Sequence, residues 1–188
     1  MRILESGVGI SHQYAKKVIK TGDIVVDATA GNGNDTLFLA EHVGENGHVY
    51  CFDIQKQALE NTRKKIEEHN MQERVSCICD GHQNMDKYIE KTIKLVVFNL
   101  GYLPGGDHTI HTKPDTTIQA IEKTLDLICK NGLVIVVVYY GGDSGFEEKD
   151  ALMQYLKQLD YKKYTVLMHN YINQVNCPPI AVCIEKIR

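Results

Sequence analysis

No run of about 18 apolar residues occurs in the 188 positions of this chain, which argues against a membrane-spanning helix. A secretory leader is not expected either, because Glu5, His12, Lys16 and Lys17 break up the first 22 residues. No Cys-x-x-Cys pair is present. The six cysteines, at 51, 77, 79, 129, 177 and 183, mostly fall in apolar strand-like or helical patterns. They read as small buried hydrophobes of a reducing cytoplasm rather than as disulfides. Cys77 and Cys79 are two apart and would share one face of a strand, which is not zinc-site spacing. A strong charge of one sign is also lacking. The formal net charge of −3 rules out polyanion binding by bulk electrostatics. Any nucleic-acid contact must come from local clusters such as Lys16-Lys17 with Lys20, Arg63-Lys64-Lys65, Lys113 or Lys162-Lys163. Repeats, low-complexity tracts and composition shifts are missing too. With 43% hydrophobic residues, 1–188 suits one compact domain.

What the chain does have is a glycine turn between a strand and a helix. Ile24 and Val25 lead into Val26-Asp27-Ala28-Thr29-Ala30-Gly31-Asn32-Gly33-Asn34-Asp35-Thr36. Gly31 and Gly33 permit a tight bend and close approach of a ligand to the backbone. Asn34, Asp35 or Thr36 can cap a following helix. A strand, a glycine turn and a helix N-terminus form a nucleotide-type cofactor site. The next strand, His48 to Phe52, ends in Asp53, 22 residues after Gly31 and placed to accept both hydroxyls of a ribose. A dinucleotide fold would use the same geometry. Its fingerprint, however, needs Gly or Ala where Thr36 stands, and the Asp35 carboxylate lies where a pyrophosphate would sit. S-adenosylmethionine, with a sulfonium and no phosphate, fits better. An NAD-dependent oxidoreductase remains as the alternative, as does a turn without a ligand.

Hydrophobic periodicity supplies the rest of the fold. It predicts a first helix capped by Ser11, running through Ile19 and closed by Gly22. Strands are expected over 24–28, 48–52, 75–79, 94–98, 133–140, 164–168 and 180–185. Helices are expected over about 34–43 and 55–69, after Lys113-Pro114 to an end at Asn131-Gly132, and over 146–159. Alternation of this kind gives an α/β domain: a seven-stranded, mostly parallel, Rossmann-like sheet with helices on both faces. The terminal antiparallel hairpin is the class I methyltransferase arrangement.

In such a sheet, ligands bind beyond the carboxyl ends of the strands. Asp27, Gly31, Asn32, Gly33, Asn34 and Asp35 are therefore candidates for the cofactor, with Asn32 and Asn34 meeting the methionine end. Asp27 could instead bond only to the turn. Asp53 takes the ribose with Gln55 close by, and Asp80-Gly81-His82 faces the adenine. The segment 99–107 follows the fourth strand, where a methyl acceptor should lie. Its Asn99-Leu100-Gly101-Tyr102 is similar to the Asn-Pro-Pro-Tyr loop of amino-group methyltransferases, with Leu100-Gly101 replacing the prolines. The Asn99 carbonyl could accept a hydrogen bond from an attacking amine, and Tyr102 could stack on a base. His108 and His111, with Asp107 and Asp115, read as substrate contacts or a lid rather than metal ligands. Lys113 and Tyr140 border the same edge. No cysteine lies in the loop directly after the fourth strand, which disfavours the covalent route to pyrimidine carbon 5, and Cys129 is poorly placed for it.

The two segments 27–36 and 99–107 together resemble the small bacterial family labelled rRNA methylases, over nearly the whole chain. That resemblance implies class I methyltransferases acting on tRNA, which methylate the aminomethyl group of a wobble 2-thiouridine to the 5-methylaminomethyl form. It further implies Asn32, Asn34, Asp53, Gln55 and His82 as contacts of S-adenosylmethionine. Thr29 departs from the wider superfamily, which has Gly there. The expected partner is a tRNA anticodon loop, with His108, His111 and Lys113 beside it, and a homodimer stays open. Alternatives are an rRNA or small-molecule N-methyltransferase, the oxidoreductase, and an RNA-binding module without activity.

Overall fold

The computed structural model describes residues 3–102, 111–141 and 145–188. Seven strands, β1 (Ile24–Asp27), β2 (His48–Phe52), β3 (Val75–Ile78), β4 (Ile93–Leu100), β5 (Ile128–Val138), β6 (Tyr164–His169) and β7 (Ile180–Lys186), form one sheet. Their order is β3-β2-β1-β4-β5-β7-β6. Neighbours from β3 to β5 pair in parallel, while β7 runs antiparallel to both β5 and β6. The expected seven-stranded sheet with a closing antiparallel hairpin is present.

Alternate residues of the central strands point to opposite faces, and each face has its own core. Val25, Leu95, Val97, Leu133 and Ile135 pack beneath α1 (Gly7–Val18), α2 (Asn34–Val43) and α3 (Lys56–Glu68). Val26, Val96, Phe98, Val134 and Val136 pack beneath α4 (Pro114–Leu127) and α5 (Gly145–Leu156). The run from Leu133 to Val138 is buried throughout, as a central strand covered on both faces requires.

Several expectations need correction. The first helix starts five residues earlier than expected, capped by Ser6, whose hydroxyl accepts from the Gly9 amide at 3.2 Å. Ser11 is instead buried on the same stripe as Gly7 and Ala15. Small residues there let α1 lie close to β5; a Cβ on Gly7 would stand 3.1 Å from a Val137 methyl. Asn131-Gly132 does not end a helix. The helix stops at Leu127, and Asn131, with φ 58°, sits inside β5 where its register to β4 shifts between Ile93 and Leu95. The segment 82–87 is a 3₁₀ turn packed under α4, which the periodicity did not reveal. Cys51 and Cys183 are buried as expected, but Cys79 is exposed. Among the described residues, no helix is long and apolar enough to cross a membrane.

Candidate active site

The carboxyl ends of β1, β2, β4 and β5 open into a cleft of about 1150 Å³. The loop after β1 forms its floor, clamped from both sides. The Ala28 amide donates to the Val97 carbonyl of β4, and the Ala30 amide donates to the Phe52 carbonyl of β2, both at 2.8 Å. Between the clamps the chain must reverse quickly. Gly31 (φ 53°) and Gly33 (φ 76°) supply two left-handed residues, a conformation that costs little only without a Cβ. The Gly33 amide donates to the Ala30 carbonyl at 2.8 Å, closing the turn onto the first residue of α2.

Asp53 ties this loop to β2. One oxygen accepts from the Gly31 amide at 3.0 Å and the other from the Gln55 amide at 2.9 Å. A carboxylate has about four acceptor sites, so both oxygens retain capacity at the cleft wall that Asp53 lines. The side-chain carbonyls of Asn32 and Asn34 are held by Asn61 and Lys65 of α3, and their amide nitrogens take no part in those bonds. At the far end, Asp80 accepts from the Gly81 amide, the Asn84 side chain and the Tyr88 hydroxyl. The Asn84 and Tyr88 bonds hold its carboxyl below the usual range. His82 is 8% exposed and donates from Nδ1 to the Ala28 carbonyl at 3.1 Å. Burial keeps its ring below the ordinary histidine value and hence neutral near pH 7.

Two proposed cofactor contacts lie away from the cleft. Asp27 is fully buried; it accepts from the Thr29 amide at 3.1 Å and the Thr36 hydroxyl at 2.6 Å. Burial, with Asp35 nearby, pushes its carboxyl up to about 7. It shapes the loop from behind. Gly33 faces α3, where a Cβ would meet the Thr62 Cα at 2.9 Å. Its role is close packing of loop on helix.

One end of the cleft is built on the last residues of β4, Asn99 and Leu100. The Asn99 amide N–H donates to the Thr29 hydroxyl at 2.7 Å, and its side-chain Nδ2 donates to Asp35. Asn99 Oδ1 is buried and has no hydrogen-bond partner among the described residues. Tyr102 is 50% exposed at the cleft rim, and its backbone bridges to His111. The Thr112 hydroxyl accepts from the Gly101 amide and donates to Glu148, which also accepts from Thr117. One buried carboxylate thus joins the loop after β4 to α4 and α5. Lys113, the cap residue of α4, and Tyr140 line the same cleft, with the Lys149 ammonium 4.8 Å from the Tyr140 ring centre. Asp107 and His108 lie outside the described residues.

Gly31, Asn32, Asn34, Asp35, Asp53, Gln55, Asp80, Gly81, His82, Asn99, Tyr102, His111, Lys113 and Tyr140 therefore share one cleft. The local patterns did not point to Thr29, His12 or Glu148, because their partners stand 31 to 70 residues away or, for His12, 23. The site fits S-adenosylmethionine. The Asp53 carboxylate, just past the end of β2, suits a ribose, and Asp35, at the cleft in the first turn of α2, suits a sulfonium and opposes a pyrophosphate.

Sheet order, antiparallel β7 and a cleft built this way define a class I methyltransferase. A model of the family described as "Putative rRNA methylase" matches residues 49–185, and the chain belongs to that family. It is 32% identical to the "tRNA (mnm(5)s(2)U34)-methyltransferase, chloroplastic" of Arabidopsis thaliana, over 94% of this chain and 68% of that protein. Among solved structures, the "putative rRNA-methylase" of Clostridium thermocellum is 57% identical with a TM-score of 0.98, covering 99% of this chain and 100% of that one. A "putative methyltransferase" of Streptococcus mutans, solved in complex with SAH, is 41% identical with a TM-score of 0.90, covering 98% and 99%.

Proposed function

We propose that this methyltransferase uses S-adenosylmethionine to methylate the primary amine of 5-aminomethyl-2-thiouridine at the tRNA wobble position, giving the 5-methylaminomethyl form. The single observation that carries an amine acceptor is the buried, unpartnered Asn99 Oδ1 at the end of β4. The wobble nucleoside is suggested by the plant relative's specificity.

The cofactor, when bound, supplies an electrophilic methyl group on a positive sulfur. Asp53 holds the ribose, His82 and the Asp80–Gly81 segment border the adenine, and the amide nitrogens of Asn32 and Asn34 meet the methionine carboxylate. Asn99 Oδ1 accepts an N–H of the neutral amine, which aims the lone pair at the methyl carbon. The nitrogen–carbon bond forms as the carbon–sulfur bond breaks. The amine then gives its extra proton to water, so a dedicated base is not required. Alignment carries most of the rate gain in such an in-line displacement. Tyr102, exposed at the rim, stacks on the base, and His111 and Lys113 sit beside the phosphates of the anticodon loop.

The test is transfer from methyl-labelled S-adenosylmethionine to separated tRNA and rRNA pools from a strain lacking the gene, followed by nucleoside mass spectrometry. The proposal expects label in tRNA at 5-methylaminomethyl-2-thiouridine. Label confined to rRNA refutes the tRNA assignment, and so does label on a ring carbon or ring nitrogen.

A further inference from the structure

An asparagine can serve as the acceptor described above only if its amide is turned the right way. Oδ1 facing an amine accepts a proton and leaves the lone pair free to attack. Nδ2 in the same place would donate to that lone pair and block it. Rotating the amide by half a turn exchanges the two, so something must hold the productive orientation.

The structure contains the device. Asn99 Nδ2 donates to Asp35 Oδ2. An ionised carboxylate has no hydrogen to give, so a rotated amide would set Oδ1 against another acceptor. Asp35 is in turn held by His12 of α1, whose Nε2 donates to the other carboxylate oxygen at 2.6 Å. The His12 ring lies flat on Phe38 of α2, with ring centres 3.8 Å apart and planes 4° from parallel. The donor is therefore fixed in direction as well as distance. His12 does not line the cleft, while Asp35 and Asn99 do.

We propose that His12 is a positioning residue for methyl transfer: through Asp35 it locks the Asn99 side chain with Oδ1 toward the acceptor amine. This rests on the reading of Asn99 as the amine's hydrogen-bond acceptor. The chain of contacts joins α1, α2 and β4, so a residue outside the cleft governs the geometry of the reacting nitrogen.

Two substitutions separate the hydrogen bond from the packing. His12→Phe keeps a ring on Phe38 and removes the donor. His12→Gln keeps an N–H near the Nε2 position and removes the ring. Steady-state methyl transfer to tRNA from a strain lacking the gene, and calorimetric binding of S-adenosylhomocysteine, are measured for both and for Asn99→Ala. H12F is expected to lose about 10- to 100-fold in kcat, the scale of misaligned reactants. Its S-adenosylhomocysteine affinity stays within about twofold of wild type, since that product lacks the positive sulfur that Asp35 faces. H12Q is expected to recover most of kcat.

Full kcat in H12F overturns the inference. So does H12Q falling as far as H12F, or a parallel loss of S-adenosylhomocysteine affinity. If N99A keeps wild-type activity, the reading of Asn99 itself fails; if N99A is inactive while H12F is normal, only the role of His12 fails. A readout independent of substrate is the NMR signal of the Asn99 side-chain amide, identified by its loss in N99A. That signal should move in H12F and stay near its wild-type position in H12Q. An unmoved signal in H12F overturns the inference even if wild-type protein methylates no tRNA.

Discussion

Replacing Gly33 with alanine probes how the cofactor loop is built. The residue has φ 76° and caps α2. Holding a residue with a Cβ in the left-handed region costs roughly 1–2 kcal/mol. The new methyl would also stand 2.9 Å from both the Cα and the Oγ1 of Thr62. One of those atoms is helix backbone, so α3 or the loop must shift, an overpacking cost of about 1–3 kcal/mol. Together these predict about 2–5 kcal/mol of destabilisation. For a domain of this size that is a fall of roughly 4–20 °C in Tm. Thermal unfolding followed by circular dichroism measures it, with S-adenosylhomocysteine added in a second series to report the loop's binding competence. Thr62→Ala removes Oγ1 but keeps the Cα, so it should recover only part of the loss in the double variant. If G33A melts within about 2 °C of wild type, the loop is not packed on α3 as described.

Three further outcomes are expected. The Asp27 carboxyl, raised from 3.8 to about 7 by burial and by Asp35, gives up its proton later in the folded state than in the unfolded chain. Its contribution to stability is therefore full below pH 3.8 and is lost as pH rises toward 7. Urea unfolding of wild type and D27N across that range should show a decline with pH in the wild type that is weaker in the variant; equal slopes refute it. Glu148→Ala leaves the Thr112 and Thr117 hydroxyls without their shared acceptor. It should cost about 2–4 kcal/mol by denaturant titration, while E148Q, which can still bond both hydroxyls, costs less. Lys113→Ala should weaken tRNA binding and reduce the slope of log affinity against log salt by about one; unchanged affinity removes Lys113 from the RNA interface.

The parts of the site carried by short segments were legible in the sequence. The Gly31–Gly33 bend, the carboxylate at Asp53 and the loop from Asn99 each depend on residue types within one strand–loop–helix unit, and the parallel sheet places those units side by side. The start of α1 was not legible, because Ser6 precedes two glycines that rarely open a helix and Ser11 looks like a cap. Asn131-Gly132 carries the usual signature of a helix end, yet it serves as an irregularity inside β5. Asp27 and Gly33 belong to the same motif as the cleft residues, and only the packing of α2 and α3 separates the supporting from the lining positions. His12 and Glu148 are set by long-range contacts, to Asp35, Thr112 and Thr117. No local spacing announces them.

S-adenosylmethionine is expected to lie on the Gly31–Gly33 bend with its ribose on Asp53. Isothermal calorimetry of S-adenosylhomocysteine with wild-type protein and Asp53→Ala tests it most directly. Carboxylate hydrogen bonds contribute about 1.5–3 kcal/mol each, and every 1.4 kcal/mol is about tenfold in Kd. Wild type is expected to bind clearly, and the variant about 100-fold more weakly. Equal affinity in both proteins, or wild type binding NAD in preference, would contradict it.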